Sequence, residues 1–273
     1  MATTLHFWKM NGAGNDFVML DNRDGALALS GDTIAKLCDR HRGVGADGLL
    51  LVEPASDGAD FRMRYYNADG GEAEMCGNGA RCFARYANLL AGGALKTLSF
   101  ETLAGLISAE FLGDQVRINM SQPHSLKLQQ TLDVKGDSLQ VHSVNTGVPH
   151  AVVFVSDLEN VDVRGWGAGL RYHEAFKPKG TNANFVKVVD ANSIEIRTYE
   201  RGVEDETLAC GTGMVACALI HHELNGATSP VSVKVRGGDT LQIGFEKQGD
   251  AYSNVTLLGP ADFVFAGELA VEI

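Results

Sequence analysis

The chain has 273 residues, of which 45% are hydrophobic and 21% are charged, the balance of an ordinary globular protein. Such a length suits two domains of about 130 residues, each large enough to bury its own core. The formal net charge of −11 disfavours binding to nucleic acids or anionic membranes, whereas it is compatible with a small-molecule substrate.

The N-terminus and the cysteines indicate the cellular compartment. Residues 1–17 lack both the basic opening and the apolar core of a secretory signal. No apolar run approaches the ~20 residues of a membrane-spanning helix. The five cysteines are an odd number without the spacing of a disulfide scaffold. We therefore expect a cytoplasmic protein with reduced thiols and no membrane partner.

Short segments in which apolar residues alternate with polar ones predict half-buried and mostly antiparallel strands along the chain. Clear examples are residues 61–65, 116–120, 194–197 and 231–235. Helical spacing of apolar residues interrupts this pattern at three places, residues 32–42, 79–90 and 213–224. The last helix is apolar nearly all round, which is typical of a helix enclosed by other structure.

The first motif in chain order is Gly43-Val44-Gly45-Ala46-Asp47-Gly48, with the three spaced glycines of a dinucleotide-binding loop. That loop needs a strand before it and a helix after it, because the pyrophosphate rests on the helix N-terminus. Here the predicted helix precedes the glycines and the apolar run 49–52 follows as a strand. We therefore expect no nucleotide cofactor.

A metal site is the next possibility, because the chain contains both cysteines and histidines. No Cys-x-x-Cys or His-x-x-x-His pair occurs among the cysteines and His41, His150, His221 or His222. His221 and His222 are neighbours where a buried helix is expected to emerge, so we predict a solvated helix end there. The sequence predicts no metal site.

One phrase occurs twice, each time at the start of a predicted helix. It reads Cys76-Gly77-Asn78-Gly79 and, 134 positions later, Cys210-Gly211-Thr212-Gly213. The same offset aligns further pairs without a gap, among them Asn11 with Asn145, Tyr65 with Tyr199 and Glu72 with Glu206. We infer an internal duplication, in which the proline-containing segment 121–125 forms the crossing between the halves.

A cysteine followed by glycines at a helix start has a chemical use. The uncapped backbone N–H groups stabilise an anion, either a thiolate or a substrate carboxylate. Two such thiols could remove a proton from one face of a carbon and return one to the other face, which inverts a stereocentre. His150 and Glu200 are candidate bases for the two thiols. The other cysteines, Cys38, Cys82 and Cys217, lie in apolar faces and are predicted as core residues.

Five blocks along the chain resemble one known family, the diaminopimelate epimerases. They are residues 9–17, 67–70 running into 76–82, 147–150, 180–185, and 199–202 running into 209–213. The resemblance implies an α+β fold of two pseudo-symmetric lobes, each a mostly antiparallel β-roll around a central helix, with the active site in the cleft between them. The expected domains are residues 1–122, joined by a returning strand at 262–273, and residues 123–261.

The resemblance also implies an activity, the interconversion of LL- and meso-diaminopimelate without a cofactor, as a step of amino-acid and lysine biosynthesis. Cys76 and Cys210 would be the two acid/base residues, assisted by His150 and Glu200 respectively. The reacting carboxylate would lie on the backbone of Gly77, Asn78, Gly211 and Thr212. The remaining substrate contacts would come from Asn15, Asn67, Asn182, Glu200 and Arg201. A homodimer is one candidate assembly.

Two positions depart from the family pattern. Some members have glutamine where this chain has Gly48, and asparagine where it has Val148. Both side chains would contact substrate, so the equivalent contacts here must come from backbone, water or neighbouring residues. The departure bears on fine selectivity more than on activity.

Three alternatives remain open from the sequence. Another racemase of the same fold, such as a proline-type enzyme, would share the cysteines, although Arg201 and Asn182 favour a long substrate with a distal carboxylate. A redox switch would use Cys76 and Cys210 as a regulatory disulfide. An amino-acid-binding module would keep the helix starts and Arg201 but would not need two thiols.

Overall fold

A computed structural model of the protein describes the backbone of residues 2–272 and the side chains of residues 3–271. The chain divides into two compact units. Unit 1 comprises Met1–Ile118 and Gly259–Ile273, and unit 2 comprises Asn119–Leu258.

Residues 2–119 form eight strands and two helices. They are β1 (Ala2–Gly12), β2 (Asn15–Asp21), α1 (Gly31–Cys38), β3 (Gly48–Glu53), β4 (Phe61–Asn67), β5 (Glu72–Ala73), α2 (Gly77–Leu90), β6 (Thr97–Thr102), β7 (Gly105–Leu112) and β8 (Gln115–Asn119).

The rest of the chain repeats this alternation and then adds a last strand. The elements are β9 (His124–Val134), β10 (Asp137–Asn145), β11 (Pro149–Phe154), α3 (Val163–Arg171), a 3-10 turn (Glu174–Phe176), β12 (Asn182–Asp190), β13 (Ser193–Glu200), β14 (Asp205–Thr207), α4 (Gly211–Asn225), β15 (Val231–Lys234), β16 (Thr240–Gln248), β17 (Ala251–Pro260) and β18 (Asp262–Glu272).

Unit 1 is a mostly antiparallel sheet that surrounds α2. Its strands follow the order β18-β1-β2-β3-β4-β6-β7-β8, and β5 pairs with β4. The only parallel pairs among its described strands are β2 with β3 and β4 with β6. Each needs a crossover, and α1 and α2 supply these crossovers. Helix α2 packs against β1, β2, β3, β4, β6 and β7, so it is the central helix of the unit.

Unit 2 has the same plan. Its strands follow the order β9-β10-β11-β12-β13-β15-β16-β17, with parallel pairs at β11–β12 and β13–β15 that are crossed by α3 and α4. Helix α4 packs against β10, β11, β12, β13, β15 and β16. Corresponding elements keep the offset found in the sequence, since α2 and α4 begin 134 residues apart, at Gly77 and Gly211. The fold is therefore α+β, as predicted, with a central helix in each unit.

The helix that sequence patterns missed is α3, whose sequence VRGWGAGLR contains three glycines. Each interior glycine costs a helix roughly 1 kcal/mol relative to alanine, so the local signal is weak. The side chain of Asp162 caps the helix by accepting from the N–H of Gly165. A Cβ at Gly167 would lie 2.4 Å from Cβ of Tyr199, so glycine allows α3 to lie close against β13. Tertiary packing therefore overrides propensity here.

Two other predictions need correction. The first helix ends at Cys38, not at residue 42, because Asp39 is extended. His221 is not solvated, since its side chain is fully buried in α4. Its Nε2 lies 3.1 Å from the carbonyl oxygen of Ala191, and its Nδ1 lies 3.0 Å from Nδ2 of Asn225. The helix continues to Asn225, so the histidine does not mark its end.

The cysteines predicted as core residues are buried. Cys38 lies in the unit 1 core beside Ile34 and Leu37, and Cys82 and Cys217 are fully buried in the central helices. Burial raises the pKa of Cys38 to about 11 and that of Cys82 to about 12, so both are inert thiols. Within residues 2–272, no helix combines the length and the apolar character that a membrane crossing requires.

Candidate active site

The two cysteines of the repeated phrase occupy the same structural position in their units. Cys76 is the N-cap residue of α2, with φ −133° and ψ 123°, and Cys210 is the N-cap residue of α4, with φ −126° and ψ 109°. Neither side chain makes the hydrogen bond that usually caps a helix. The first-turn N–H groups are therefore not taken up by the cysteines and can stabilise an anion.

In unit 1 the start of α2 is tied to Asn15. The side chain of Asn78 is 1% exposed, and its Nδ2 donates to Oδ1 of Asn15 at 2.6 Å. Its Oδ1 accepts from Nη2 of Arg81 at 3.0 Å. Nδ2 of Asn15 in turn donates to Oδ2 of Asp47 at 3.1 Å. The structure thus brings Asn15 and Asn78 together and fixes the orientation of both amides.

The next residue, Asp16, occupies the position that the 134-residue offset pairs with His150, and its role is structural. Both Oδ atoms of Asp16 accept from Arg40 at 2.8 Å, and Nζ of Lys9 lies 2.8 Å from Oδ2. Burial opposes the charge, but the hydrogen bonds from Arg40 and Lys9 hold the pKa of Asp16 well below its ordinary value. The Asp16 carboxylate is therefore charged and forms ion pairs with Arg40 and Lys9.

Asn67, the other substrate contact predicted in unit 1, ends β4 and is exposed. Its backbone N–H donates to the carbonyl oxygen of Gly71 at 2.9 Å. Among the described side chains, none forms a hydrogen bond with its amide, so this amide can bind a ligand.

In unit 2 the thiol of Cys210 lies against a carboxyl group. The side chain of Cys210 is 5% exposed and hydrogen-bonds to Glu200 at the end of β13. Burial raises the pKa of Glu200, although the hydrogen bonds from Thr207 and Cys210 oppose this. A carboxylate with raised proton affinity is better matched to a thiol, which favours proton exchange between them.

The ring of His150 is fully buried, and both of its nitrogens have neighbours within unit 2. Nε2 lies 2.9 Å from Oγ1 of Thr212, and Nδ1 lies 3.1 Å from Nδ2 of Asn184. Burial, with a smaller contribution from the charge of Arg201, lowers the pKa of His150 to about 3, so the ring is neutral at pH 7. Oγ1 of Thr212 also lies 3.7 Å from Sγ of Cys210. Thr212 therefore connects His150 with Cys210, while the pairing of His150 with Cys76 stays a prediction.

Asn182 and Arg201 are brought together at the ends of β12 and β13. Oδ1 of Asn182 accepts from the backbone N–H of Arg201 at 2.7 Å. The guanidinium donates through Nη1 to the carbonyl oxygen of Lys179 at 3.2 Å. No carboxylate of residues 3–271 forms an ion pair with Arg201, so its remaining N–H groups can bind an anionic ligand.

Sequence reasoning missed three side chains of this site. They are Asn184 and Thr207, which contact His150 and Glu200, and the hydroxyl of Thr212, whose backbone alone was considered. A signal for Asn184 was present, because it lies two residues after Asn182 on β12 and strand residues at that spacing share a face.

The two departures from the family pattern have different surroundings. A Cβ at Gly48 would lie 2.6 Å from the carbonyl oxygen of Tyr66 and 2.7 Å from Cε2 of Tyr65, so a larger side chain needs a shift of β4. Val148 is half-buried, and its carbonyl oxygen accepts from the N–H of Thr146 at 3.2 Å. Gly48 is therefore required by the close packing of its strand, β3, against β4.

In the described part of the chain, no three His, Cys, Asp or Glu side chains form a group that could hold a metal ion. The five cysteines, all within that part, are reduced thiols.

Two solved structures are similar to this chain in fold. A probable proline racemase from Agrobacterium radiobacter K84, solved with bound carbonate, has a TM-score of 0.70 at 15% identity, covering 98% of this chain and 93% of that one. A PhzF-family phenazine biosynthesis protein from Bacillus anthracis has a TM-score of 0.73 at 15% identity, covering 98% and 100%. At such identities these structures show the fold alone.

Sequence similarity is much higher to one group of enzymes. The diaminopimelate epimerase of Aquifex aeolicus is 44% identical over 98% of this chain and 99% of its own length. The family model for diaminopimelate epimerase matches residues 7–126 and 142–264. The chain therefore belongs to the diaminopimelate epimerase family.

Proposed function

We propose that this protein is a cofactor-independent epimerase that interconverts LL- and meso-diaminopimelate through a two-cysteine proton transfer. The observation that carries the proposal is the shared position of Cys76 and Cys210, each at the N-cap of its unit's central helix. A duplicated thiol at a helix start is what a reaction with two equivalent acid/base groups requires. Both thiols must stay reduced, which suits the cytoplasm.

In the proposed reaction, the thiolate of one cysteine takes the proton from the α-carbon. The electron pair left on carbon is stabilised because the adjacent carboxylate lies on backbone N–H groups, of Gly77 and Asn78 at α2 and of Gly211 and Thr212 at α4. The thiol of the other cysteine then protonates the opposite face. The configuration is inverted, and no electrons are gained or lost.

Each thiol needs a neighbouring group to reach the thiolate state. An ordinary thiol with a pKa near 8.5 is only about 3% ionised at pH 7. Glu200 is the proposed proton acceptor for Cys210, supported by their hydrogen bond. His150 is proposed to assist Cys76, as the resemblance implies, and its ring is buried and neutral at pH 7.

The two zwitterionic ends of diaminopimelate need different partners. Arg201 is proposed to bind the distal carboxylate with two parallel N–H donors. The amides of Asn15, Asn67 and Asn182 are proposed to bind the ammonium groups and the remaining carboxylate oxygens. Asn15 and Asn182 are held by neighbouring hydrogen bonds, so they lose little freedom when substrate binds.

The substrate is tested by incubating reduced protein with LL-diaminopimelate in deuterium oxide. We expect meso product carrying deuterium at the inverted α-carbon. A parallel reaction with L-proline should show no exchange. Exchange into proline without exchange into diaminopimelate would assign the protein to the proline-type racemases and overturn the proposal.

The two thiols are tested by Cys76→Ala and Cys210→Ala, each assayed under reducing conditions. We expect each variant to lose about 100- to 10,000-fold in kcat, because general acid/base groups contribute roughly 10²–10⁴-fold. Cys38→Ala, which removes a buried thiol of α1, is the matched control and should retain turnover. Full turnover by either single variant would exclude the two-base reaction.

A further inference from the structure

A neutral histidine carries its proton on one of two ring nitrogens, and the neighbours of His150 decide which one. The deciding neighbour is Asn184 on β12, whose side chain is fully buried. Its amide makes three hydrogen bonds, to the carbonyl oxygen of Ala151 at 2.9 Å, to Oγ1 of Thr198 at 3.0 Å and to Nδ1 of His150 at 3.1 Å.

The orientation of the Asn184 amide follows from the first of these contacts. A backbone carbonyl can only accept, so the atom facing Ala151 must be the nitrogen, Nδ2. The hydroxyl of Thr198 then donates to Oδ1. The second N–H of Nδ2 is directed at Nδ1 of His150, which must therefore be the acceptor. The opposite amide orientation would place two oxygens 2.9 Å apart.

We propose that Asn184 is a positioning residue that holds the proton of neutral His150 on Nε2, so that the ring presents a hydrogen-bond donor where the sequence suggested a base. This inference deepens the proposed function and rests on it for its catalytic meaning. The local sequence indicates no role for Asn184, and it indicates His150 only as a proton acceptor.

The Nε2 proton completes a series of hydrogen bonds that all donate in one direction. His150 Nε2 donates to Oγ1 of Thr212 at 2.9 Å, and the Thr212 hydroxyl can donate to Sγ of Cys210 at 3.7 Å. The Cys210 thiol donates to Glu200. When Glu200 accepts that proton, the resulting thiolate keeps the Thr212 hydroxyl as a donor. The series therefore favours the charged form of Cys210.

The amide of Asn182 also lies near the ring, with its Nδ2 3.4 Å from Nε2 of His150. This is longer than the roughly 2.7–3.2 Å of an ordinary N–H hydrogen bond. The orientation of that amide is set elsewhere, because its Oδ1 accepts from the N–H of Arg201 at 2.7 Å. The shorter contact, to the Thr212 hydroxyl, therefore governs Nε2.

The glycine that follows Thr212 provides the space for Asn184. A Cβ at Gly213 would lie 2.5 Å from Oδ1 of Asn184, so no other residue fits there without moving the amide. The offset of 134 places Leu50 at the position of Asn184 and Asp16 at that of His150. The arrangement is therefore specific to unit 2, although the cysteine phrase is common to both.

The ring proton is located by long-range ¹H–¹⁵N NMR of reduced protein labelled at histidine, with His150→Gln to assign the signals. We expect wild-type His150 to carry its proton on Nε2. In Asn184→Asp the carboxylate can only accept, so the proton should move to Nδ1. We expect kcat of this variant to fall about 100-fold with KM little changed, because the donor that supports the Cys210 thiolate through Thr212 is lost and no substrate contact is removed.

Two further variants keep the test decisive. Asn225→Leu removes a similar amide–imidazole bond, to His221, and should leave both the His150 signals and turnover unchanged. Thr198→Val removes only the hydroxyl that donates to Oδ1 of Asn184, while the Ala151 carbonyl still holds Nδ2, so the ring proton should stay on Nε2. A proton on Nδ1 in this variant would contradict the orientation assigned to Asn184, even if Asn184→Asp does not fold.

The NMR result stands apart from the substrate assay. A wild-type ring with its proton on Nδ1 overturns the inference, whatever the protein epimerises. An Nε2 proton in a protein that exchanges no α-proton of diaminopimelate contradicts the proposed function alone.

Discussion

The hydroxyl oxygen of Thr207 lies 3.0 Å from Oε2 of Glu200 and donates its hydrogen to that carboxylate. Burial raises the pKa of Glu200, while this hydrogen bond and the one from Cys210 lower it. The proton affinity of the carboxyl group is therefore a balance between burial and two neighbouring donors. The balance can be shifted without touching Glu200 itself.

Replacing Thr207 with valine should shift the pH dependence of turnover. The variant keeps the shape of the side chain and removes a hydrogen bond worth about 1 kcal/mol, which corresponds to about 0.7 pH unit. The pKa of Glu200 then rises further, so the acidic limb of kcat/KM should move to higher pH. Thr131→Val, on the exposed side of β9, is the control. An unmoved acidic limb would mean that Glu200 does not titrate in the reaction.

Replacing Glu200 with glutamine should change how stability depends on pH. A carboxyl group whose pKa is raised in the folded state contributes stability below its unfolded pKa, and this contribution is lost as pH rises through the folded value. The variant lacks this loss, so it should become more stable relative to wild type between about pH 4 and pH 8. Urea unfolding at both pH values measures the difference. A difference that does not change with pH would show that burial leaves Glu200 unperturbed.

The second glycines of the two cysteine phrases should respond differently to alanine. A Cβ at Gly213 meets Oδ1 of Asn184 at 2.5 Å, whereas a Cβ at Gly79 meets only ring and methyl carbons of Phe17 and Leu50, at 3.3–3.4 Å. We expect Gly213→Ala to lower the free energy of unfolding by about 1–3 kcal/mol and to impair turnover. Gly79→Ala should cost less, because alanine also favours the helix by up to about 1 kcal/mol. Equal losses would contradict this difference in space.

Replacing Arg201 with lysine should weaken substrate binding while keeping the charge. The variant loses the second donor to the distal carboxylate, and a charged hydrogen bond is worth about 1.5–3 kcal/mol. KM for LL-diaminopimelate should therefore rise about 10- to 100-fold, with a smaller change in kcat. Arg164→Lys, in an exposed pair with Asp205, is the matched control. An unchanged KM would remove Arg201 from the substrate contacts.

The fold class could be predicted because the local signals agree with the tertiary structure. The alternating segments at 61–65 and 194–197 lie within β4 and β13. The apolar stretch after Cys210 forms α4, and its lack of a polar face reflects the six strands around it. Helix α3 could not be predicted, because its glycines serve packing against β13 and weaken the local signal.

The site residues that could be predicted are those whose residue type and local sequence indicate their chemistry. Cys76 and Cys210 precede glycines at helix starts, and this position is readable from local sequence. The role of Asn184 could not be predicted, because it depends on contacts with Ala151 and Thr198. These residues lie beside Asn184 only after β12 pairs with β11 and β13. The direction of a hydrogen bond depends on such three-dimensional neighbours and produces no periodic pattern in the sequence.

The central claim, that one thiol removes the α-proton and another returns it, is tested most directly by the early distribution of deuterium. Reduced protein converts LL-diaminopimelate in deuterium oxide, and both substrate and product are analysed by mass spectrometry at low conversion. Two thiols predict deuterium in the meso product and none in the remaining LL substrate, because the proton taken from substrate stays on its own cysteine. Equal labelling of product and remaining substrate would indicate a single exchanging base and would contradict the account.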